Sequence, residues 1–158
     1  MPVPWHCWQV TLKLAPPPCS PIGSLPTAKI KPKGFWFSVE GNEDGWKHWC
    51  EAESFETKSF MFENEIFFGD EAMIAVLSSV LDIDIFHQRY KAALAGREHY
   101  IDWKRVAREC QGIIIAPYVC ERRLDGDASE WYYGWDCASG CVWDASAIQE
   151  VKTVNYRK

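Results

Sequence analysis

The sequence lacks several features by which common protein classes are identified. It has no run of about 18 apolar residues, and its opening MPVPWHCW has neither the basic segment nor the long apolar segment of a secretory signal. It also has no basic stripe of the kind that binds a phosphate backbone, since 22 acidic and 17 basic residues leave a net charge of -5. We therefore expect a soluble, cytoplasmic protein that does not span a membrane and is not a dedicated nucleic-acid binder.

Motifs for metal, phosphate or nucleophile chemistry are also missing. The seven cysteines are scattered without a C-x-x-C motif, and only Cys137 and Cys141 lie near each other, with all four histidines distant in sequence. This spacing favours buried free thiols over a disulfide framework or a zinc site. No Walker loop, G-x-G-x-x-G, H-E-x-x-H or G-x-S-x-G motif occurs, so several common enzyme classes lack their usual markers. A cysteine nucleophile would need a histidine nearby in space.

The length of 158 residues suits a single domain spanning 1–158. Alternation and short apolar runs predict strands at 8–14, 34–39, 73–77, 112–116 and 140–143, with 60–68 as a strand pair or one broken strand. Helical spacing predicts helices at 45–53 with Asp44 as N-cap, at 83–94, and after an N-cap at Asp102. Segments 15–33 and 121–130 are predicted loops. Since helices and strands mix without regular βαβ alternation, the predicted class is α+β.

The most unusual feature is the aromatic content of 15%, which includes nine tryptophans. An indole has an apolar body and one N–H donor, so tryptophans suit a core that also lines a ligand cleft. They equally suit a small domain that packs its core with aromatic rings. Their clustering at 36–49 and beside Asp136 favours the cleft.

Two segments carry the chemistry that such a cleft would need. In 31–53, a strand ending at Ser38 precedes a helix with Trp46 and Trp49 three residues apart, so a hydroxyl could face a ribose and an indole could face a flat ring. In 131–140, Asp136 lies among four aromatic residues, where its carboxylate would be available to stabilise a cation. Asp136 could equally do no more than cap the turn before the last predicted strand.

Three motifs in these segments resemble a known family. They are G-F-W-F-S at 34–38, G-W-K-H-W-C-E-A-E at 45–53 and Y-G-W-D-C-A-S at 133–139. They look like motifs of a family of uncharacterised proteins from bacteria and their phages. That family in turn distantly resembles small mono-ADP-ribosyltransferases, including phage anti-CRISPR enzymes of that type.

The resemblance implies a compact split β-sandwich with short helices around a cleft for NAD, which would be the substrate. Asp136 would orient the nicotinamide ribose and stabilise the transition state, with Ser38 beside that ribose. His6 or Gln9, at the start of the chain, would hold the cofactor. Aromatic residues would form the rest of the cofactor site, namely Trp36, Trp46, Trp49 and Tyr133. The implied reaction is the transfer of ADP-ribose to an unknown protein target.

Two other functions are compatible with the same residues. The first is a non-catalytic module of phage or bacterial origin that binds a nucleotide or a protein, as an inhibitor or defence factor. It is motivated by Gln9, because an amide lacks the charge and the bidentate fork that an arginine offers to a pyrophosphate. The second is a protein-interaction surface built from the aromatic residues, without a small ligand.

Overall fold

The secondary structure consists of short helices and short strands. The structure, a computed structural model, describes residues 31–39, 44–55, 62–93, 99–124 and 130–156. The strands are β1 Phe35–Ser38, β2 Phe62–Phe68, β3 Ile74–Leu77, β4 Gly112–Ile115, β5 Ser139–Val142 and β6 Ile148–Tyr156. The helices are α1 Trp46–Ala52, α2 Val80–Tyr90, α3 Trp103–Glu109, α4 Cys120–Leu124 and α5 Glu130–Tyr133, with a 3-10 turn at Ala145–Ala147. None of the helices in these ranges has the length and apolar character needed to cross a membrane.

The strands form two separate sheets. Four of them form a mixed sheet in the order β1-β5-β4-β3, in which β5 is antiparallel to both of its neighbours and β3 is parallel to β4. Parallel neighbours need a crossover connection, which here contains α2 and α3. The other two strands, β2 and β6, form an antiparallel ribbon. The predicted α+β class is therefore confirmed.

Both faces of the four-stranded sheet are covered. On one face, Ile113 packs with α2, α3 and α5 in a cluster that includes Trp103 and Trp131. On the other face, Ile114 packs in a second cluster with Ile66 of the β2-β6 ribbon. All four residues of β4 are buried, as expected for a short apolar run in a strand covered on both sides. The sheet is therefore the middle layer, between helices and ribbon.

The predicted helices lie at the expected positions, but both boundaries of α2 are shifted. α1 and α3 fall within the predicted segments, and Asp102 caps α3 by accepting a hydrogen bond from the Arg105 N–H. α2 begins three residues before the predicted 83 and ends at 90. Its start is set by Ser79, whose hydroxyl accepts a hydrogen bond from the Asp82 N–H.

The strand predictions hold for the four-stranded sheet and for β2 of the ribbon but not for β6. β1, β3, β4 and β5 lie within one residue of the predicted bounds, and the described part of 60–68 is one strand, β2. The sequence predicts no strand where β6 lies, because its apolar residues Ile148, Val151 and Val154 recur every third position rather than in alternation. The predicted loop at 121–130 is wrong at both ends, which belong to α4 and α5. The predicted strand at 8–14 and the loop up to 30 lie outside the described residues.

The contact between β1 and β5 leaves no room for a side chain at Gly140. A Cβ there would overlap the Phe37 ring and lie 2.8 Å from the Ile113 carbonyl oxygen. We expect Gly140→Ala to lower the free energy of unfolding by about 1–3 kcal/mol, measured by urea denaturation. Gly69→Ala is the control, since no described residue other than Gly69 and its two chain neighbours has an atom within 4 Å of the position that the added methyl group would occupy. An equal loss in both variants would contradict the packing described.

A buried histidine joins α2 to α5. His87 accepts at Nδ1 a hydrogen bond of 3.1 Å from the Trp131 indole N–H. Burial is the main cause that lowers the pKa of His87 from its ordinary value of 6.5, and the nearby Lys91 and His99 lower it further, while Asp84 opposes them. The fold therefore favours the neutral form of His87, which keeps an acceptor for Trp131.

The lowered pKa makes stability depend on pH. As the pH falls, the unfolded chain takes up a proton at His87 before the folded chain does. The contribution of neutral His87 to the free energy of unfolding is therefore complete above about pH 6.5 and decreases below it. We expect His87→Gln, whose amide oxygen can still accept from Trp131, to remove this part of the dependence. Urea denaturation of both proteins between about pH 7.5 and 5 measures the difference. Parallel stability profiles would contradict it.

Candidate functional site

A surface pocket lies where α1 meets β1, at the edge of the four-stranded sheet. Its volume is about 350 Å³, at the lower end of the range of about 300–1,000 Å³ for small-molecule sites. Four of its eight lining residues are aromatic, and the lining includes one carboxylate and one amine. The lining residues are Lys31, Trp36, Trp46, Trp49, Phe55, Asp136, Cys137 and Ser139.

Hydrogen bonds anchor α1 against the sheet. The Ser38 hydroxyl at the end of β1 accepts a hydrogen bond of 2.8 Å from the Trp46 N–H, which belongs to the first turn of α1 and has no partner within the helix. The Ala138 N–H donates to the Asp44 carbonyl at 2.7 Å, and Gly45 pairs with Ala138 in a parallel bridge. These bonds hold the tryptophan-bearing face of α1 at the pocket.

Asp44 has a different role from the predicted one. The N-cap residue of α1 is Gly45, and no side chain caps the helix from that position. The Asp44 carboxylate instead accepts a hydrogen bond of 2.5 Å from the Tyr118 N–H, which ties the start of α1 to the segment after β4. The N-cap prediction for Asp44 is wrong, because the first-turn N–H of α1 is satisfied by Ser38 from a neighbouring strand.

Ring contacts support the aromatic wall of the pocket. The Trp36 ring lies 4.8 Å from that of Trp135, which is fully buried, and the Trp49 and Phe55 rings lie 5.7 Å apart. The indole nitrogen of Trp46 is buried and has no hydrogen-bond acceptor among the residues that the structure describes. A buried donor without an acceptor costs free energy. A ligand that offers an acceptor to Trp46 would remove that cost.

Asp136 is the acidic group of the pocket and lies between two cations. Arg123 of α4 contacts its Oδ1 at 2.9 Å, and the Lys31 Nζ lies 3.9 Å from its Oδ2. The Lys31 Nζ also lies 5.2 Å from the centroid of the Trp36 ring. The Asp136 side chain is 34% exposed, so solvent reaches the carboxylate and screens both ion pairs. The arrangement provides a negative charge beside aromatic faces.

Cys137 lines the same pocket but is a poor nucleophile. Burial raises the pKa of its thiol to about 12, and the nearby negative charge of Asp136 adds to the increase. At neutral pH the thiol is therefore protonated, whereas the thiolate is the reactive form. Within the described ranges, no three His, Cys, Asp or Glu side chains form a group that could hold a metal ion.

The pocket brings together half of the eight predicted site residues. Asp136 and the tryptophans Trp36, Trp46 and Trp49 all line it, although they come from segments about 90 residues apart in the sequence. Their convergence depends on the pairing of β1 with β5, because Asp136 precedes β5 and Trp36 lies on β1.

Of the other predicted site residues, Ser38 and Tyr133 do not line the pocket. Ser38 is 4% exposed, and its hydroxyl binds the Trp46 N–H. Tyr133 is 64% exposed on α5, where the Arg123 guanidinium lies 5.4 Å from its ring centroid. His6 and Gln9 lie outside the described residues.

Sequence reasoning missed two charged contacts and part of the wall. Arg123 falls in a segment predicted to be a loop, and nothing in the local sequence links it to Asp136. Lys31 stands in the sequence as one of three alternating lysines at 29–33 that could receive phosphates, and its contact with Asp136 requires the fold. Phe55 could have been predicted from the local sequence as part of the wall, since it follows the predicted helix at 45–53 and lies only six residues after Trp49.

The role of Ser38 leads to a prediction about α1. We expect Ser38→Ala to remove the acceptor for the Trp46 N–H and to lower the free energy of unfolding by about 0.5–2 kcal/mol. Hydrogen exchange of the α1 amides should become faster, because the helix is seven residues long and depends on its anchor. Ser139→Ala is the matched control, since the Ser139 hydroxyl donates to the Cys137 carbonyl rather than to α1. Equal α1 exchange in both variants would contradict the anchor.

Comparisons with known proteins leave the site to be interpreted from its own geometry. No family model matches this chain, and no curated protein and no solved structure matches it either. The implied relationship to mono-ADP-ribosyltransferases therefore stays a prediction from the sequence.

Proposed function

We propose that this chain binds the nicotinamide end of NAD in the aromatic pocket and transfers ADP-ribose to a protein target. One observation carries the proposal: a carboxylate, Asp136, and three indoles, those of Trp36, Trp46 and Trp49, line the same pocket. Nicotinamide in NAD is a flat ring with a positive charge. Indole faces suit such a ring, and a carboxylate suits its charge.

The reaction would use Asp136 as an electrostatic stabiliser. When the bond between nicotinamide and ribose breaks, its electron pair leaves with the nicotinamide and positive charge develops on the ribose. A carboxylate held nearby lowers the energy of that transition state. Arg123 pairs with Oδ1 of Asp136 and so helps to fix the position of the carboxylate. The other oxygen, Oδ2, faces Lys31. Aromatic walls that exclude water would favour a protein acceptor over hydrolysis.

The size of the pocket limits which part of NAD it can take. About 350 Å³ suits one ring with its sugar, so the remainder of the dinucleotide would extend beyond the pocket. Lys31 and Arg123 are the cations beside Asp136 that could meet the negative charge of the pyrophosphate.

The proposal includes the finer fold, a split β-sandwich of the ADP-ribosyltransferase type, which is supported by the packing of the ribbon against one sheet face. It also includes a cytoplasmic location, where NAD is available.

A non-catalytic binding module is the second candidate. Ser38, which the resemblance assigns to the ribose, is 4% exposed and uses its hydroxyl to anchor α1. Arg123 already pairs with Asp136, which reduces the net negative charge that a developing cation would experience. Both observations are compatible with a pocket that holds a ligand without cleaving it.

The test combines NAD turnover with a charge-neutral variant. We expect the purified protein to release nicotinamide and to label a protein in a lysate with ADP-ribose from labelled NAD. Asp136→Asn should reduce both by about 10²-fold or more, because the stabilising charge is lost. The control is Asp84→Asn, since Asp84 pairs with Arg122 in the same helix as Arg123 but does not line the pocket.

The outcomes separate the two candidates. NAD binding, observed as a rise in melting temperature without nicotinamide release, favours the binding module. If NAD neither binds nor turns over, the proposed function is wrong. An equal loss of turnover in Asp84→Asn would show that Asp136 acts through stability rather than through its charge in the pocket.

A further inference from the structure

A cation from the protein itself already lies in the pocket. The Lys31 Nζ is 5.2 Å from the centroid of the Trp36 ring and 3.9 Å from the Asp136 Oδ2. A positive charge within about 6 Å of an indole face is attracted by the ring quadrupole, and a carboxylate on its other side adds a Coulombic attraction. The pocket therefore has a position suited to a positive charge.

Lys31 is loosely held in that position. Its distance to Asp136 exceeds the range of about 2.7–2.9 Å for a hydrogen bond between an ammonium and a carboxylate. Its side chain is 41% exposed, so it has solvent to move into. A lysine ammonium is also strongly hydrated, which weakens its contact with aromatic faces. Among the residues that the structure describes, Lys31 has no close hydrogen bond that a ligand would have to break in order to displace it.

The rest of the wall suits an alkylated ammonium better than a lysine. Trp46, Trp49 and Phe55 add three further aromatic side chains to the lining beside Trp36. Aromatic side chains combined with a carboxylate recognise quaternary ammonium groups, because alkyl substituents remove the hydration shell and spread the charge over an apolar surface. Arg123 occupies only the Oδ1 side of Asp136, so Oδ2 is available to such a cation.

We propose that the pocket is a binding site for small quaternary ammonium compounds with a head group of choline's size, and that Lys31 occupies the cation position in the ligand-free protein. The ligand is selected by its positive charge as well as by its shape. The site does not depend on NAD, because the contacts that define it involve a charged, alkylated nitrogen and not a nucleotide.

The test compares choline with 3,3-dimethyl-1-butanol, a neutral molecule of the same shape in which carbon replaces the charged nitrogen. Both are titrated into the full chain, with tryptophan fluorescence and calorimetry as readouts. We expect choline to bind about tenfold more tightly than the alcohol, because only choline makes a cation–π contact, and a contact with a partly desolvated charge has a free energy of that size. Asp136→Asn should reduce this preference.

Variants of the two lysines identify the internal competitor. Lys31→Met keeps an unbranched chain but removes the ammonium, so choline should bind several-fold more tightly than to the wild-type protein. Lys33→Met is the matched control, since Lys33 is exposed two residues away and does not line the pocket. It should leave the affinity for choline unchanged. Both side chains are at least partly exposed, so neither change removes a core residue.

Each result decides one part of the proposal. Equal affinities for choline and the alcohol, or no binding of choline at all, would overturn the cation site. Unchanged or weaker choline binding to Lys31→Met would overturn the role of Lys31. Choline binding with the expected preference supports the site even when NAD does not turn over, so failure of the NAD-dependent function is distinguished from failure of this inference.

Discussion

The hydrogen bond from the Trp46 N–H to the Ser38 hydroxyl is the constraint on which the pocket depends. α1 has seven residues, and a helix of that length is not stable in water without tertiary contacts. Its buried residue, Cys50, supplies one such contact. The bond from Trp46 to Ser38 supplies another, and the bond from Ala138 to Asp44 fixes the residue just before the helix. Without this anchor, two of the indoles in the pocket wall would lose their position relative to the sheet.

The same hydroxyl connects fold and function in an unexpected way. Ser38 lies beside Ser139 in the pairing of β1 with β5, and both are buried. Ser139 lines the pocket, whereas Ser38 supports the helix that forms the wall. Ser38, which the motif resemblance assigns to the ligand, thus has a structural role in the part of the chain described. Asp136, the acidic residue assigned with it, does line the pocket.

The charged groups at the pocket are paired and partly exposed rather than buried. Asp136 has a cation on each oxygen, one at hydrogen-bond distance and one farther away, and a third of its side chain is exposed. Exposed ion pairs of this kind contribute little to stability, since solvent screens them. Such pairs can exchange partners at low cost, which is why the weaker one, with Lys31, is the contact that an incoming cation could replace.

The sequence by itself determined the elements whose signals are local. The apolar run at 112–116 predicted the doubly covered strand β4, and the spacing of Trp46 and Trp49 predicted one face of a helix, because both patterns follow from the geometry of a single element. The aromatic residues also indicated a cleft. Only the tertiary structure decided which of them share it, since Asp136 reaches Trp36 through strand pairing and reaches Arg123 and Lys31 through contacts between elements. Such contacts depend on how elements distant in sequence pack together, and a short stretch of sequence does not determine that packing.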